Sequence, residues 1–357
     1  MRIANLGQHA LASCAVAAML VGCGGSPPPI GMPGAMPQSR VTPAGAGRSW
    51  MKPGTSNQDL LYVTGYEDEG LVDIYTYPQG EKVGAITGLV APQGACVDAA
   101  GNVFVTDRAP ESNSSVIYEY AHGGTTPIAT LSDPAFATGC AVDPATGNLA
   151  VSGVIGTTHY RGAVAVYANA EGTPSMYYGA KSIVGFLYCV YNNHSDLYVT
   201  EYFNDSGEAY AVGRLAHGRS RIDQIMINKP IRGFPELPPS ALWDGKRVVI
   251  SSVRTGPDGK VSLYRLAISG KTARVVGTTV LNHCGRRETV GQAWLFGGMV
   301  FSSIFQHYYS HIAWWRYPNG GKPSGISSRV FVSPTQPLGL TLSPAQSSKA
   351  ARVDPRH

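Results

Sequence analysis

Side chains able to do chemistry gather in short polar segments that follow β-rich runs. These segments carry Glu67, Asp68 and Glu69; Asp107 and Arg108; His159 and Arg161; Glu201 and Asp205; Arg254; and Gln306, His307 and His311. Phe234 and the run His283-Cys284-Gly285-Arg286-Arg287-Glu288 stand in segments that lead into such runs. Asp107 and Glu201 are the carboxylates suited to a hard divalent cation, which takes oxygen donors. His307 and His311 offer imidazoles, but structural zinc wants four ligands and no third lies nearby in sequence. Cys284, beside Arg286 and Arg287, has cations near its thiol that favour the thiolate, with an ordinary loop cysteine as the plain alternative. No Gly-x-Ser-x-Gly, His-Glu-x-x-His or phosphate-loop pattern occurs, which removes the commonest hydrolase and nucleotide readings. No organic cofactor is predicted, and a divalent metal is the one that stays open.

The elements that must position these residues come from a repeat. Six runs end in an apolar residue, a hydroxyl, then a small or acidic residue: Val63-Thr64-Gly65, Val105-Thr106-Asp107, Val151-Ser152-Gly153, Val199-Thr200-Glu201, Ile250-Ser251-Ser252 and Phe301-Ser302-Ser303. Their hydroxyls are 42, 46, 48, 51 and 51 residues apart. Each run is followed by a second one that usually carries an aromatic, such as Ile117-Tyr118 or Trp314-Trp315. Six units of this length predict an all-β, six-bladed β-propeller of four-stranded blades. The segment 337–343, Pro-Leu-Gly-Leu-Thr-Leu-Ser, matches Pro92 to Asp98 in its Pro, Gly and penultimate aliphatic. The first repeat, from Leu60, lacks that strand, so 337–343 is expected to complete the first blade, close the ring and remove two exposed edges.

The clearest copy, Pro92-Gln93-Gly94-Ala95-Cys96-Val97-Asp98 followed by Gly101-Asn102-Val103-Phe104-Val105-Thr106-Asp107, resembles NHL-type repeats. More loosely, residues 59–343 are similar to the gluconolactonase and senescence-marker superfamily, whose members are also six-bladed. That resemblance implies a rim formed by loops after the second and fourth strands, holding Asp107, Arg108, His159, Arg161, Glu201, Arg254, Arg286, Arg287 and His307. It also implies a divalent cation at the channel mouth, held by a Glu, two Asn-type ligands and an Asp. The family's Glu-Gly-Pro near the first blade and Asn-Gly before a later strand are absent here. The fold is therefore carried over and the function is not.

Residues 1–22 read as a signal segment: Arg2 is followed by an apolar run from Ala10 to Val21, too short to span a bilayer. Leu20-Val21-Gly22-Cys23 looks like a bacterial lipobox with Cys23 lipidated, with cleavage elsewhere as the alternative. Several acyl chains, at about 0.8 kcal/mol per buried methylene, would then hold the chain on a membrane. Residues 23–56, rich in Gly and Pro, are expected to be a flexible tether of roughly 30 Å, residues 57–343 the propeller, and 344–357 a disordered tail. Among Cys96, Cys140 and Cys189, alignment on Val97, Val142 and Val190 puts Cys140 on the opposite face from the other two. Cys140 could then pair with Cys96 or with Cys189, or all three could stay buried thiols.

Charge is divided unevenly. The whole chain carries a net +5, but residues 57–343 hold 21 basic and 22 acidic residues, which argues against a nucleic-acid partner. Residues 57–208 have 4 basic against 17 acidic side chains, while 209–343 have 17 against 5. One half is acidic and the other basic, a polarity suited to orienting a partner or to weak self-association. The expected role is binding or scaffolding at the bacterial cell envelope, exposed to periplasm or exterior, with an unknown protein or glycan partner. The alternatives are a metal-dependent lactonase or hydrolase at the rim, and a carbohydrate or peptidoglycan binder using Tyr308, Tyr309, Trp314 and Trp315.

Overall fold

A computed structural model describes residues 48–66, 70–108, 113–156, 159–181, 183–202, 208–232, 239–252, 260–282, 289–306, 309–327 and 336–345. The chain is all-β, a propeller-like arrangement of small sheets. Numbered in chain order, the first strands are β1 (Trp50–Met51), β2 (Asp59–Tyr66), β3 (Leu71–Tyr77) and β4 (Lys82–Ile86). Next come β5 (Pro92–Val97), β6 (Val103–Arg108), β7 (Ser115–Tyr120) and β8 (Pro127–Asp133), then β9 (Phe136–Val142), β10 (Leu149–Ile155), β11 (Arg161–Tyr167) and β12 (Ser175–Tyr178). They are followed by β13 (Gly185–Tyr191), β14 (Leu197–Tyr202), β15 (Glu208–Leu215), β16 (Ile222–Arg232), β17 (Ala241–Trp243), β18 (Val248–Ser251), β19 (Val261–Ser269) and β20 (Thr272–Leu281). The last are β21 (Thr289–Phe296), β22 (Met299–Gln306), β23 (Tyr309–Arg316), β24 (Gly325–Ile326) and β25 (Gln336–Ser343).

The C-terminal strand β25 pairs antiparallel with β2, from Leu60 opposite Ser343 to Tyr66 opposite Gln336. First strands then pack side by side in the order β25, β5, β9, β13, β17, β21 and back to β25. Six hydrophobic clusters fill the seams, each drawn from two neighbouring sets of strands. The alternation of strand side chains produces this directly, since successive residues face opposite seams.

Three expectations need correction. The strands do not form six separate four-stranded sheets: β13 to β20 make one eight-stranded sheet in the order β13-β14-β15-β16-β20-β19-β18-β17. Its two antiparallel halves join where β16 and β20 run parallel, Met226 opposite Thr272 and Ile227 opposite Ala273. At 11 and 10 residues these outer strands are long enough for their bare edges to meet. The second correction concerns the ends. Trp50 and Met51, inside the expected tether, pair with Ala85 and Gly84 as a fifth strand of the first sheet. Ala345, in the expected tail, is buried and donates its N–H to Asp59 at 2.9 Å.

The third correction is a register error of one residue. Tyr191, immediately before the turn residue Asn192, occupies the place of Val97 and Val142, so Cys189 shares the face of Cys140. A one-residue slip moves every side chain to the opposite face. Cys96 and Cys140 therefore meet across the seam between β5 and β9 in a disulfide, Cα atoms 5.6 Å apart, while Cys189 is a buried free thiol in the next seam.

The repeated hydroxyl has a common task. In five sets the first strand bulges, or begins, opposite or beside this hydroxyl of the second, and the hydroxyl takes up backbone groups that the ladder leaves there; in the last set Ser302 pairs with Ala293 and the bulge falls opposite Ser303. Gly94 N–H donates to Thr106 Oγ1 at 2.9 Å, Tyr188 N–H to Thr200 Oγ1 at 3.1 Å, Ser240 N–H to Ser251 Oγ at 2.9 Å and Gly339 N–H to Thr64 Oγ1 at 2.7 Å. Ser152 Oγ donates to Gly139 O of its own first strand at 3.3 Å and also reaches Leu187 O of β13 at 2.9 Å, and Ser302 Oγ donates to Gln292 O at 3.5 Å. All six hydroxyl residues are buried. The acid or amide just after four of the first strands works similarly at the turns: Asp98, Asp143, Asn192 and Asp244 accept N–H bonds from Asn102, Ala145, His194 and Lys246.

The disulfide closes a separation of 44 residues, for which chain entropy gives about 4 kcal/mol. Urea unfolding of Cys96→Ala/Cys140→Ala should show a loss of about that size, and added reductant should lower the wild type but not the double variant.

Candidate functional site

At the rim where second strands end, Asp107 is buried and already occupied. Its carboxylate accepts the N–H of Val90 at 3.0 Å and of Ala91 at 2.7 Å, fixing the segment that leads from β4 into β5. Burial pushes its pKa up to about 6, and the two backbone bonds oppose that shift. Glu201 holds the equivalent position two sets further on. It is also buried, with Oε2 accepting from Gln224 Nε2 at 2.7 Å and Oε1 without a hydrogen bond among the described residues. Burial raises it to about 7, and the Gln224 bond works the other way.

By strand alternation each carboxylate faces the preceding seam, Asp107 with Val103 and Val105, Glu201 with Leu197 and Val199. They are thus separated by two seams. Among the described residues no three His, Cys, Asp or Glu side chains are grouped to hold a metal ion. These side chains do not fit the four-ligand cation site that the family resemblance implies.

The cationic candidates are also dispersed. Arg108 lies over the Phe136 ring at 4.3 Å, and Arg161 lies 5.1 Å over Tyr178 while its Nε donates to Gly179 O at 2.8 Å. His159 is exposed. Arg254, Arg286, Arg287 and His307 lie outside the described residues, as do Cys284, Tyr308 and the proposed lipid site Cys23. His311 is held below the usual imidazole range by burial. Trp314 and Trp315 are not surface rings for stacking sugars. Trp315 is fully buried and donates Nε1–H to Asn282 O at 3.1 Å, and Trp314 packs 5.7 Å from Tyr77.

The most telling site residues were not singled out by sequence. Gly94, Gly139 and Gly339 occupy equivalent points of three first strands, with Tyr188, Ser240 and Gln292 at the other three. The glycines are required by close approach: a Cβ would stand 2.5 Å from Thr138 O at Gly94, 2.3 Å from Leu187 O at Gly139 and 2.3 Å from Gln93 O at Gly339. Tyr188 is buried, and its hydroxyl donates at 3.4 Å to Leu338 O on β25, the strand diametrically opposite in the cyclic order. Gln292 accepts from Leu340 N at 3.1 Å and donates to Ala95 O at 3.2 Å, lacing β21 to both β25 and β5. The axis is closed at this level by side chains. Their signal in the sequence is a large polar residue where the repeat elsewhere has glycine.

No protein family matches the chain by sequence, and no curated protein does. Solved structures do resemble it. The β-propeller domain of Cps50 (Swd1) from Myceliophthora thermophila is 9% identical, over 82% of this chain and 88% of that one, with a TM-score of 0.47. A 6-phosphogluconolactonase-like protein from Bacteroides uniformis is 13% identical over 79% and 84%, TM-score 0.47. The PQQ-bound aldose sugar dehydrogenase of Streptomyces coelicolor is 12% identical over 70% and 83%, TM-score 0.44. The likeness is one of fold alone.

Glu201 makes a measurable pH signature. A carboxyl raised from 4.5 to about 7 by folding contributes stability that is present below about 4.5 and lost as pH rises through 7. Against Glu201→Gln, which keeps an acceptor for Gln224, the wild type should lose up to about 3 kcal/mol between pH 4.5 and 7.5 in urea midpoints. Parallel pH curves for the two proteins would show that Glu201 ionises freely.

Proposed function

We propose that this chain is a lipid-anchored, six-bladed propeller that serves as a binding or scaffolding module at the bacterial cell envelope. The eight-stranded sheet then counts as two blades whose outer strands touch, a reading supported by six first strands in cyclic order and six apolar seams. The observation that carries the functional reading is the closed axis. Tyr188 and Gln292 bridge first strands across the axis, and Asp107 is bonded into the framework. The outer faces are then the surfaces offered for recognition. The Cys96–Cys140 disulfide suits an oxidising compartment outside the cytosol, and the lipobox-like Leu20-Val21-Gly22-Cys23 supplies the anchor.

Two measurements separate this reading from the rim hydrolase. Cells fed labelled palmitate should label the wild type and leave Cys23→Ser unlabelled and out of the membrane fraction. The purified full chain should turn over neither lactones nor phosphoesters with added calcium, manganese or zinc. Chelator-sensitive turnover that Glu201→Gln abolishes would replace the binding reading by the hydrolase.

A further inference from the structure

Opposite the rim discussed above, the connections are short turns, all within the described residues: 78–81, 98–102, 121–126, 143–148, 168–174, 192–196, 216–221, 244–247, 270–271, 297–298 and 317–324. We infer that this turn face is a self-association surface on which two copies pack face to face, the acidic sector of one against the basic sector of the other. The inference goes beyond envelope binding and does not depend on it.

The charge on this face is sharply divided. Around the second and third sheets it carries Asp98, Glu119 and Glu171, which rim a cleft of about 510 Å³ floored by Phe104, Leu131 and Val142. Glu119 is raised by burial first and then by the charges of Asp98 and Glu171, so these carboxylates repel one another without a cation between them. Across the eight-stranded sheet and its neighbour the same face carries Arg219, Lys246, Lys271, Arg316 and Lys322, all exposed. None of the five has a carboxylate within ion-pair distance among the described residues, whereas Arg214 and Arg221 are paired internally with Asp196 and Asp223. Asp223 feels the charge of Lys271 and Asp244 lies in the 244–247 turn, so the basic sector keeps a reduced but still positive surplus within one copy.

A face with one acidic and one basic half is complementary to itself. A two-fold axis lying in the face along the boundary between the halves places each half on its opposite, which is the isologous geometry of most homodimers. The face is also preorganised, because neighbouring turns are tied together. Trp243 Nε1–H donates to Asn193 Oδ1 at 2.9 Å, Tyr317 hydroxyl to Asp244 Oδ2 at 2.9 Å, Ser343 Oγ to Gly101 O at 2.6 Å and Gly123 N–H to Tyr62 hydroxyl at 2.8 Å. Little ordering remains to be done on association.

The test is sedimentation of the full chain in nonionic detergent at two salt concentrations, with two charge-reversed variants. Wild type should dimerise at low ionic strength and weaken about tenfold or more when salt shortens the screening length to a few ångströms. Arg219→Glu/Lys246→Glu/Lys271→Glu should be monomeric, as should Glu119→Lys/Glu171→Lys, and an equimolar mixture of the two should recover a heterodimer. Recovery in the mixture shows that both variants are folded and complementary. A wild type that stays monomeric at low salt overturns the inference, as does a dimer that survives both reversals.

Discussion

The structure depends on one small interaction, a second-strand hydroxyl taking up backbone groups of the neighbouring first strand. First strands crowd around an axis, and crowding forces a bulge that leaves peptide groups out of the ladder. Buried and unpaired, each such group costs about 1–3 kcal/mol. Thr64, Thr106, Ser152, Thr200, Ser251 and Ser302 answer that cost with a side chain short enough to reach the backbone beside it. Valine would fill the same volume without the bonds.

Once the bulges are stable, the rest follows by packing. Glycine at 94, 139 and 339 lets three strands approach carbonyl to Cα, and this draws the ring toward one side. The space left on the other side is filled by Tyr188 and Gln292, which reach opposite or neighbouring strands. Closure at the axis and closure of the ring by β25 are thus one event, since Leu338 O of that strand accepts from Tyr188 while its Gly339 and Leu340 N–H groups donate to Thr64 and Gln292.

Much of this was legible in residues. The hydroxyl spacing located the second strands, and the leftover segment at 337–343 located the closing strand. The hydroxyls' purpose was not legible, because a sequence shows periodicity but not the bulge that periodicity serves. The face of Cys189 is hidden because Val190 resembles Val97, whereas the turn residue Asn192 fixes the register. Trp50 and Met51 were hidden by their Gly- and Pro-rich surroundings, and joining of β16 to β20 depends on the splay of two long edges, which no local pattern encodes. Of the candidate site, the repeat puts Asp107 and Glu201 near strand ends, but that both are buried, and face different seams, is a matter of topology. For Trp314 and Trp315 the sequence does not separate a surface ring from a buried one, because an aromatic on alternate positions looks the same whether it faces solvent or a neighbouring sheet.

Native-state amide hydrogen exchange tests the central claim most directly. If hydroxyls satisfy the bulges, the amides of Gly94, Tyr188 and Gly339 will exchange as slowly as ladder-bonded neighbours in β6 and β14, and Thr106→Val will accelerate Gly94 selectively. Exchange of these amides at the rate of an exposed turn such as Gly218, in the wild type, would contradict the account.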